Sequence, residues 1–253
     1  MKIPKITIIT ASYNSEKTIK ETIESVLKQT YLNIEYLIID GGSSDNTISI
    51  VKKYEKVFEG RLKFLSEKDQ GIYDAWNKGL EMASGDWISF LGSDDEYLPN
   101  AILNYVNYIN ERKGDNLEFV SSKVELINSD KKTLRIIGQP WNWNKFKIYM
   151  NTSHVGTLHS VKLFTKYGKF NTEFKIVGDY ELLLRANKNL RTGYIDNVTA
   201  KMTVGGVSNQ SRIVFQETFK AKVRNGSRTI IEAKWDMYMA ELKYYTRRVL
   251  GLV

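Results

Sequence analysis

Two adjacent aspartates, Asp94 and Asp95, are the residues of this 253-residue chain whose types and spacing most directly suggest chemistry. They follow an apolar run over residues 87–91 that has the length of a buried β-strand. Adjacent carboxylates repel each other unless a cation or a hydrogen-bond network offsets the repulsion. A divalent ion shared with a diphosphate would do so, because Mg²⁺ and Mn²⁺ favour one or two protein carboxylates plus substrate oxygens. The alternative is an ordinary polar turn that begins at Asp95 before Pro99.

Three further polar clusters each follow an apolar run in the first hundred residues. Their sequences are TASYN at residues 10–14, DGGSSDNT at residues 40–47 and EKDQG at residues 67–71. Ligands of an open parallel sheet bind beyond the carboxyl ends of its strands. If the sheet is parallel, these clusters and the one around Asp94 lie along one edge. A single polar turn is ordinary, whereas four at the same edge indicate a ligand site.

The hydrophobic pattern predicts the elements that would hold these clusters. Strands are predicted over residues 6–9, 36–39, 62–65 and 87–91, and helices over residues 47–54, 72–83 and 101–112. Another helix carries Ile19, Ile23, Val26 and Leu27 on one face, with Ser15 as its expected N-cap. Further along, strands are predicted over residues 119–127, 134–137 and 199–204, and a helix over residues 178–187. Uninterrupted apolar strands that alternate with helices indicate an α/β fold with a mostly parallel sheet covered on both faces.

The composition narrows the range of functions. A chain of 253 residues that is 42% apolar can form one large domain, or one domain with an appendage. The absence of cysteine excludes disulfides, thiolate zinc sites and cysteine nucleophiles. With only two histidines, a bound metal is expected to be a hard cation held by carboxylates and phosphates. Neither a membrane-spanning run nor a signal-peptide core is present, which predicts a cytoplasmic protein or one on the inner face of the membrane.

Residues 216–253 form a basic tail that we expect to be an amphipathic helical extension. The tail contains eight Lys or Arg and four Asp or Glu residues, so it carries half of the chain's net charge of +8. Apolar residues fall at helical spacing on one of its faces: Trp235, Tyr238, Met239, Leu242, Tyr245 and Val249. This pattern fits a helix that rests on anionic lipid. It fits equally well a helix packed on its own domain or on a second subunit, which leaves a homodimer open.

Together, the motifs resemble those of family 2 glycosyltransferases, and most closely those of bacterial enzymes that build O-antigens and capsules. They are TASYN at 10–14, DGGSSDNT at 40–47, DQGIYDAWNKG at 69–79 and SDDEYLP at 93–99. The match is good over residues 3–100 and weaker to about residue 210. It implies a GT-A fold with a Rossmann-like central sheet, inversion at the anomeric carbon and a divalent cation, Mn²⁺ or Mg²⁺. We accordingly assign residues 1–215 to one catalytic domain, with a donor half over 1–112 and an acceptor half over 113–215.

The resemblance also implies roles for individual residues. The nucleotide-sugar donor would be bound by Thr10, Ala11, Tyr13, Asp40, Asp69, Gly71, Asp74, Asn77, Ser93 and Asp94. Asp95 would hold the metal against the diphosphate. The family often has a further aspartate before this pair, where this chain has Gly92. The segment 205–208 resembles a family loop over the products, although a plain turn explains it equally well.

Inverting transfer needs a carboxylate that takes the proton from the acceptor hydroxyl. The candidate is Asp179 in the sequence VGDYELLLR at residues 177–185, which matches the family pattern, and Glu181 is its rival. An isolated aspartate at this place would usually be a helix N-cap. His154 lies where related sequences carry a histidine near the acceptor, and we include Tyr180 and Glu181 on the acceptor side.

The sequence therefore predicts a glycosyltransferase that uses a UDP-hexose or a UDP-N-acetylhexosamine and a glycan or lipid-linked glycan acceptor. A nucleotidyltransferase is disfavoured because TASYN lacks the glycines and the basic residue of a phosphate-cradling loop. A non-catalytic sugar-nucleotide-binding module remains an alternative. Nucleic acid is not an expected partner, because the acidic clusters would repel its phosphates.

Overall fold

The computed structural model describes residues 3–205 and 211–249. Its strands are β1 (Ile6–Ser12), β2 (Ile34–Asp40), β3 (Leu62–Ser66), β4 (Trp87–Phe90), β5 (Glu96–Tyr97), β6 (Phe119–Ile127), β7 (Thr133–Ile137), β8 (Thr157–Ser160) and β9 (Thr192–Thr203). Its helices are α1 (Ile19–Leu27), α2 (Thr47–Glu55), α3 (Ile72–Met82), α4 (Ala101–Glu111), α5 (Trp143–Phe146), α6 (Val161–Tyr167), α7 (Gly178–Ala186), α8 (Ser211–Arg224) and α9 (Ile230–Val249).

The strands form one sheet in the order β3-β2-β1-β4-β8-β6-β9-β5, with β7 paired to β6. Strands β1 to β4 are parallel to one another, whereas β8 is antiparallel to both β4 and β6. Every residue of β2 is buried, which requires helices on both faces of the sheet. The predicted α/β fold with a Rossmann-like parallel half and a helical C-terminal extension is confirmed, and the sheet beyond β4 is mixed.

The period-two alternation of the strands divides the interior into two cores. Ile8 and Ile38 face a core covered by α1, α2 and α4, whereas Ile9 and Ile39 face a core covered by α3, α6 and α7. Gly79 of α3 lies so close to β1 that a Cβ there would be 2.6 Å from Ile9 Cγ2. The two-sided burial fixes the strand ends, and therefore the polar clusters that follow them.

Two sequence predictions differ from the structure, and one strand was not predicted. The N-cap of α1 is Thr18 rather than Ser15, because the Ser15 hydroxyl turns instead toward Ser93 Oγ at 2.9 Å. Strand β9 begins at Thr192, well before the predicted start, and its apolar pattern is interrupted by Asp196. The hydrophobic pattern does not predict β8 because its sequence TLHS is polar, although all four residues are buried.

The predicted helical extension at the C-terminus consists of two helices, α8 and α9. Helix α8 begins at Ser211, so the expected boundary at residue 216 lies inside it, and residues 250–253 of the tail lie outside the described residues. Asp236 of α9 is buried and pairs with two cations of the basic tail. Lys222 Nζ of α8 lies 3.0 Å from Asp236 Oδ2, and Arg228 donates to both oxygens of this carboxylate. These ion pairs attach α9 to α8. In the two described ranges, no helix is both long enough and apolar enough to cross a bilayer.

Glu35 of β2 provides a first test of the fold. Its side chain is 3% exposed and accepts hydrogen bonds from Thr7 Oγ1 and from the Ser84 N–H and hydroxyl. Burial by itself would raise the pKa of Glu35, but the hydrogen bonds and Lys5 outweigh burial and hold this pKa at about 2. We expect Glu35→Gln to lower the free energy of unfolding by about 3 kcal/mol near neutral pH, because an amide cannot accept from all these donors.

The pH dependence of this loss follows from the sign of the shift. A folded-state pKa below the ordinary value of 4.5 stabilises the protein above that pH, and the stabilisation disappears as the pH falls toward 2. Urea unfolding near pH 7 and near pH 2 should therefore show a difference between wild type and variant that shrinks in acid. The exposed Glu111→Gln change is the control. A difference that is the same at both pH values would contradict the prediction.

Candidate active site

The carboxyl ends of the four parallel strands lie side by side. Ser12 at the end of β1 pairs with Asp40 at the end of β2, and Asp40 pairs with Ser66 at the end of β3. On the other side of β1, Leu91 N after β4 donates to Ile9 O at 3.0 Å. The structure thus brings the four polar clusters to one edge of the sheet, as the sequence predicts for parallel strands.

Asp40 holds the second cluster in shape. Its side chain is fully buried and accepts hydrogen bonds from Ser12 Oγ, Ser66 Oγ, Ser43 Oγ and the backbone N–H groups of Gly42 and Ser43. Both carboxylate oxygens are therefore used inside the protein. The structure gives Asp40 the part of ordering the turn that follows β2 rather than leaving its oxygens open to a ligand.

The turns after β1, β2 and β3 contact one another. Asn14 Oδ1 accepts from Ser44 N at 2.9 Å, and Asn14 adopts a left-handed backbone with φ of 48°. A Cβ on Gly41 would lie 2.6 Å from Asp69 Oδ2, so only glycine permits this approach. Tyr13 stands above this junction with 66% of its surface exposed, which leaves its ring free to stack on a planar ligand.

The other residues assigned to the donor have varied surroundings. Thr10 is buried and accepts from the Tyr36 hydroxyl at 3.2 Å, and Ala11 after it is half-buried. Gly71 has a φ of 124°, which requires glycine at the start of α3. Asp74 accepts from Gln70 N at 3.0 Å, and Asn77 exchanges hydrogen bonds with the backbone of Phe170. Asp74 thus binds the backbone just before α3, whereas Asn77 joins α3 to the segment at Phe170.

The fourth cluster contains the two adjacent carboxylates. Asp95 is 5% exposed, and its Oδ1 accepts from Thr203 N at 3.1 Å, while the Asp94 carbonyl accepts from the Thr203 hydroxyl at 2.7 Å. Burial and then the charge of Asp94 raise the pKa of Asp95 to about 8. Burial also raises the pKa of Asp94. The fold therefore holds the two carboxylates in a place where their negative charges are unfavourable.

This chain differs from the family pattern at residue 92, where glycine replaces the frequent aspartate. A Cβ at residue 92 would lie 2.5 Å from Asp95 Oδ2 and 3.1 Å from Asp94 Oδ1. An aspartate at this position would displace the Asp95 carboxylate. Gly92 thus permits the two carboxylates to converge on the space where a third would otherwise lie.

The donor set at this place fits a divalent cation. The pair Asp94 and Asp95 offers hard oxygen ligands, and their mutual repulsion is relieved by a bound cation. In the described parts of the chain, no group of three or more acidic or histidine side chains is placed to hold a metal by itself. The remaining ligands would then be water and diphosphate oxygens, as Mg²⁺ and Mn²⁺ favour.

Asp179 lies at the start of α7, across from these turns. Its Oδ1 accepts from the Tyr180 N–H at 2.8 Å and from the Tyr73 hydroxyl at 3.2 Å, and its Oδ2 lies 3.8 Å from His154 Nδ1. Burial raises the pKa of Asp179 to about 6. The carboxylate is therefore still ionised at neutral pH but is a much better proton acceptor than an ordinary aspartate.

Tyr73 links this carboxylate to the donor-side turn. It belongs to the first turn of α3, two residues after Gly71, and its single hydroxyl hydrogen is shared between Ile176 O at 2.6 Å and Asp179 Oδ1 at 3.2 Å. A Cβ on Gly178 would lie 2.8 Å from the Tyr73 ring, so the glycine before Asp179 makes the contact sterically feasible. The segment 69–74 and Asp179 thus border the same space.

Several buried polar atoms on His154 and in its vicinity lack hydrogen-bond partners. His154 lies in a short 3-10 turn and stacks on Trp76 and Phe90, and burial lowers its pKa to about 3, so the ring is neutral. Both ring nitrogens of His154, Trp76 Nε1 and Thr152 Oγ1 have no hydrogen-bond partner among the described residues. Such groups require an explanation in a folded protein, and the hydroxyls of a bound sugar would supply partners.

Unlike His154, the two remaining acceptor-side residues have hydrogen-bond partners for their polar side-chain atoms. The Tyr180 hydroxyl donates to Phe146 O at 2.9 Å inside the core. Glu181 is 3% exposed and is bound by Arg185 Nε and by Asn225 Nδ2 at 3.1 Å. Both oxygens of Glu181 are bound by Arg185 of the same helix, and Asn225 just after α8 donates to one of them, so the structure gives Glu181 a part in holding α7 and leaves Asp179 as the candidate base.

Two residues of the site were missed in the sequence. Tyr73 stands inside the DQGIYDAWNKG motif, and its position two residues after Gly71 was a signal that could have been used. Thr203 gave no signal, because it reaches Asp95 only through the antiparallel pairing of β5 with β9. The loop expected over residues 205–208 lies mostly outside the described residues, which resume at residue 211.

The architecture is that of the GT-A glycosyltransferases. The structure of S. aureus TarS 1-349 in complex with UDP-GlcNAc matches with a TM-score of 0.71 at 19% sequence identity, covering 96% of this chain and 73% of that one. A mannosyltransferase from Pyrobaculum calidifontis in complex with GDP-Man and Mn2+ matches with a TM-score of 0.68 at 16% identity, covering 98% of this chain and 76% of the other. At these identities the likeness concerns the fold alone.

The sequence comparison is more specific. Glycosyl transferase family 2 matches residues 7–162, and the chain belongs to this family and is a glycosyltransferase. It is 28% identical over 238 residues to a PGL/p-HBAD biosynthesis glycosyltransferase of Mycobacterium bovis, covering 91% of this chain and 90% of the relative. It is 30% identical over 234 residues to the Escherichia coli UDP-Glc:alpha-D-GlcNAc-diphosphoundecaprenol beta-1,3-glucosyltransferase WfgD, covering 92% of this chain and 84% of the relative.

Proposed function

We propose that this enzyme transfers a sugar from a UDP-sugar to an acceptor hydroxyl with inversion at the anomeric carbon. The observation that carries the proposal is the Asp179 carboxylate, which is 15% exposed and which Tyr73 joins to the donor-side turn. Asp179 accepts the proton of the acceptor hydroxyl while the oxygen of that hydroxyl bonds to the anomeric carbon. The bond from that carbon to the diphosphate breaks, and the nucleoside diphosphate leaves with the electron pair.

The donor is bound along the edge formed by the four turns. Tyr13 stacks on the base, and Asp40 and Asp69 keep the turns in register under the nucleotide. Asp94 and Asp95 would hold the divalent cation, Mn²⁺ or Mg²⁺, which would neutralise charge on the leaving diphosphate. In this proposal residues 1–112 form the donor half of the domain and residues 113–215 the acceptor half.

The acceptor class is suggested by the relatives. The name of WfgD gives a UDP-glucose donor and a diphosphoundecaprenol-linked acceptor, and that of the mycobacterial relative places it in PGL/p-HBAD biosynthesis. We propose by analogy that the acceptor is a glycan or a lipid-linked glycan of a bacterial surface polysaccharide. The acceptor would be met at the cytoplasmic face of the membrane.

A thermal-shift screen tests the donor assignment. UDP-glucose, UDP-N-acetylglucosamine and GDP-mannose are each added with and without MnCl₂. At a concentration about 100 times its Kd, the correct donor adds about 2.7 kcal/mol of stability, which should raise Tm by roughly 5–10 °C with manganese present. Failure of every nucleotide sugar to shift Tm in both conditions would reject the donor assignment.

The outer face of α9 supports a peripheral membrane contact. Ile231, Trp235, Tyr238, Leu242 and Tyr245 are between 48% and 82% exposed on this helix. Aromatic side chains flanked by exposed cations favour the interface of an anionic bilayer. Lys234 and Lys243 of the same helix are exposed and supply such flanks. We propose that α9 rests on the cytoplasmic leaflet with this face.

Vesicle flotation checks this contact. We expect the enzyme to float with phosphatidylglycerol vesicles but not with phosphatidylcholine vesicles. Changing both Trp235 and Tyr238 to alanine should weaken the partitioning at least about tenfold through lost apolar burial. Leu32→Ala removes a residue that is 69% exposed outside the tail and is the control. A protein that does not float and elutes as a dimer would show that the face joins two copies instead.

A further inference from the structure

An apolar cavity of about 340 Å³ lies beside Asp179, between α7, α8 and α9. Asp179 and Tyr180 line it on one side. Its other walls are mainly hydrocarbon, contributed by Met150, Val177, Val214, Phe215, Phe219 and Met237. The donor-side turns do not contribute to this lining. The cavity thus borders the candidate base, and neither of the carboxylates assigned to the metal lines it.

Apart from the Asp179 carboxylate, the charged groups around the cavity are paired with one another. Lys222 Nζ is bound by Ile148 O and by Asp236 Oδ2, and Arg228 is bound by Asp236 and by Glu232 Oε1 at 3.1 Å. Two cations therefore face two carboxylates. No unbalanced charge of this network is available for a phosphate, so the lining favours a neutral apolar ligand.

We propose that this cavity binds the apolar portion of the acceptor, a hydrocarbon chain attached near the sugar whose hydroxyl meets Asp179. The inference rests on the proposed role of Asp179 and extends it, because it assigns the space behind the base to the acceptor rather than to the donor.

The two faces of α9 support a hydrocarbon chain as the occupant. Met237 and Ala240 face the cavity, whereas Tyr238 and Leu242 of the same helix form part of the exposed apolar face. Ala240 is exposed and lies at the rim of the cavity, so the apolar lining and the outer face meet at this helix. A chain leaving the cavity therefore passes along α9 toward the surface proposed to contact lipid.

Calorimetry with n-alkyl β-D-glucosides, from butyl to octyl and below their micellar concentrations, tests the cavity. We expect the affinity of the wild-type enzyme to rise about threefold to fourfold for each added CH₂ that enters the cavity. Met237→Gln places an amide in the lining, and Ala240→Trp narrows the rim. Both variants should largely abolish the dependence on chain length.

Leu242→Gln is the matched control, because it makes a similar polar change on the outer face of the same helix and should leave the chain-length dependence intact. Binding without any chain-length dependence in the wild type would overturn the inference. An unchanged dependence in a folded Met237→Gln or Ala240→Trp variant would also overturn it. The UDP-sugar thermal shift is measured on the same samples. If no UDP-sugar raises Tm while the dependence on chain length persists, the donor assignment is rejected and the proposed role of the cavity stands.

Discussion

Asp179→Asn should lower kcat by about a thousandfold while leaving the protein folded and able to bind its UDP-sugar. General-base catalysis contributes about 10²- to 10⁴-fold to a rate, and an amide cannot accept the proton of the acceptor hydroxyl. Asparagine retains the acceptor atom for the Tyr180 N–H, which donates to Asp179 at 2.8 Å, so the start of α7 should persist. Initial rates of UDP release with acceptor present, together with circular dichroism and the UDP-sugar thermal shift, check this expectation.

Asp196→Asn is the matched control for this change. Asp196 lies on β9 with 74% of its side chain exposed and pairs with Lys123, so its loss should leave the rate within a factor of about two. A variant at residue 179 that transfers sugar at the wild-type rate would remove Asp179 from the mechanism. If the wild type and the variant both bind UDP-sugar but neither shows turnover, the protein is a binding module.

The pH profile of the wild type gives the same residue a second test. Because burial raises the pKa of Asp179 to about 6, kcat/KM should fall as the pH drops through about 6, rather than near 4. The Tyr73 hydroxyl donates to this carboxylate and stabilises its charged form. Tyr73→Phe should therefore move the acid limb to higher pH. A profile unchanged by Tyr73→Phe would argue that another group titrates.

Asp95→Asn should have opposite effects on activity and stability. We expect it to lower kcat/KM by roughly a thousandfold or more with Mn²⁺ present, because the cation loses its best-placed carboxylate. The metal-free protein should become more stable, by up to roughly 6 kcal/mol above pH 8, because the pKa of Asp95 is raised by about four units from 3.8 to about 8 and each unit corresponds to about 1.4 kcal/mol. The introduced amide keeps an oxygen to accept from Thr203 N, so the link to β9 survives.

The sign of the stability change follows from the raised pKa. The folded protein holds the proton of Asp95 more tightly than the unfolded chain does, so wild-type stability falls as the pH rises from about 4 to about 8. The variant should lack this decline. Thermal unfolding at several pH values in the presence of a chelator measures the difference. Mn²⁺ with UDP should raise Tm of the wild type and not of the variant. A variant that is less stable than the wild type at alkaline pH would show that the carboxylate stabilises the fold.

The sequence determined the parallel half of the fold and the turns at its edge. Strands β1, β2 and β4 are short apolar runs that must be covered on both faces, and this pattern is local. Parallel strands place their carboxyl ends together, so the meeting of Ser12, Asp40 and Ser66 followed from the order of elements alone. The family and its enzymatic class followed from the motifs on these turns.

The tertiary structure decided what each polar side chain does. Asp40 and Glu181 are both carboxylates in motif segments, but their oxygens are taken up by hydrogen bonds within the protein. Asp179 and Asp95 accept fewer such bonds, and burial raises the pKa values of both. The contacts responsible come from distant segments, such as Thr203 on Asp95 and Tyr73 on Asp179. Burial and long-range contacts depend on how the chain packs, and the local spacing of residues in the sequence does not predict them.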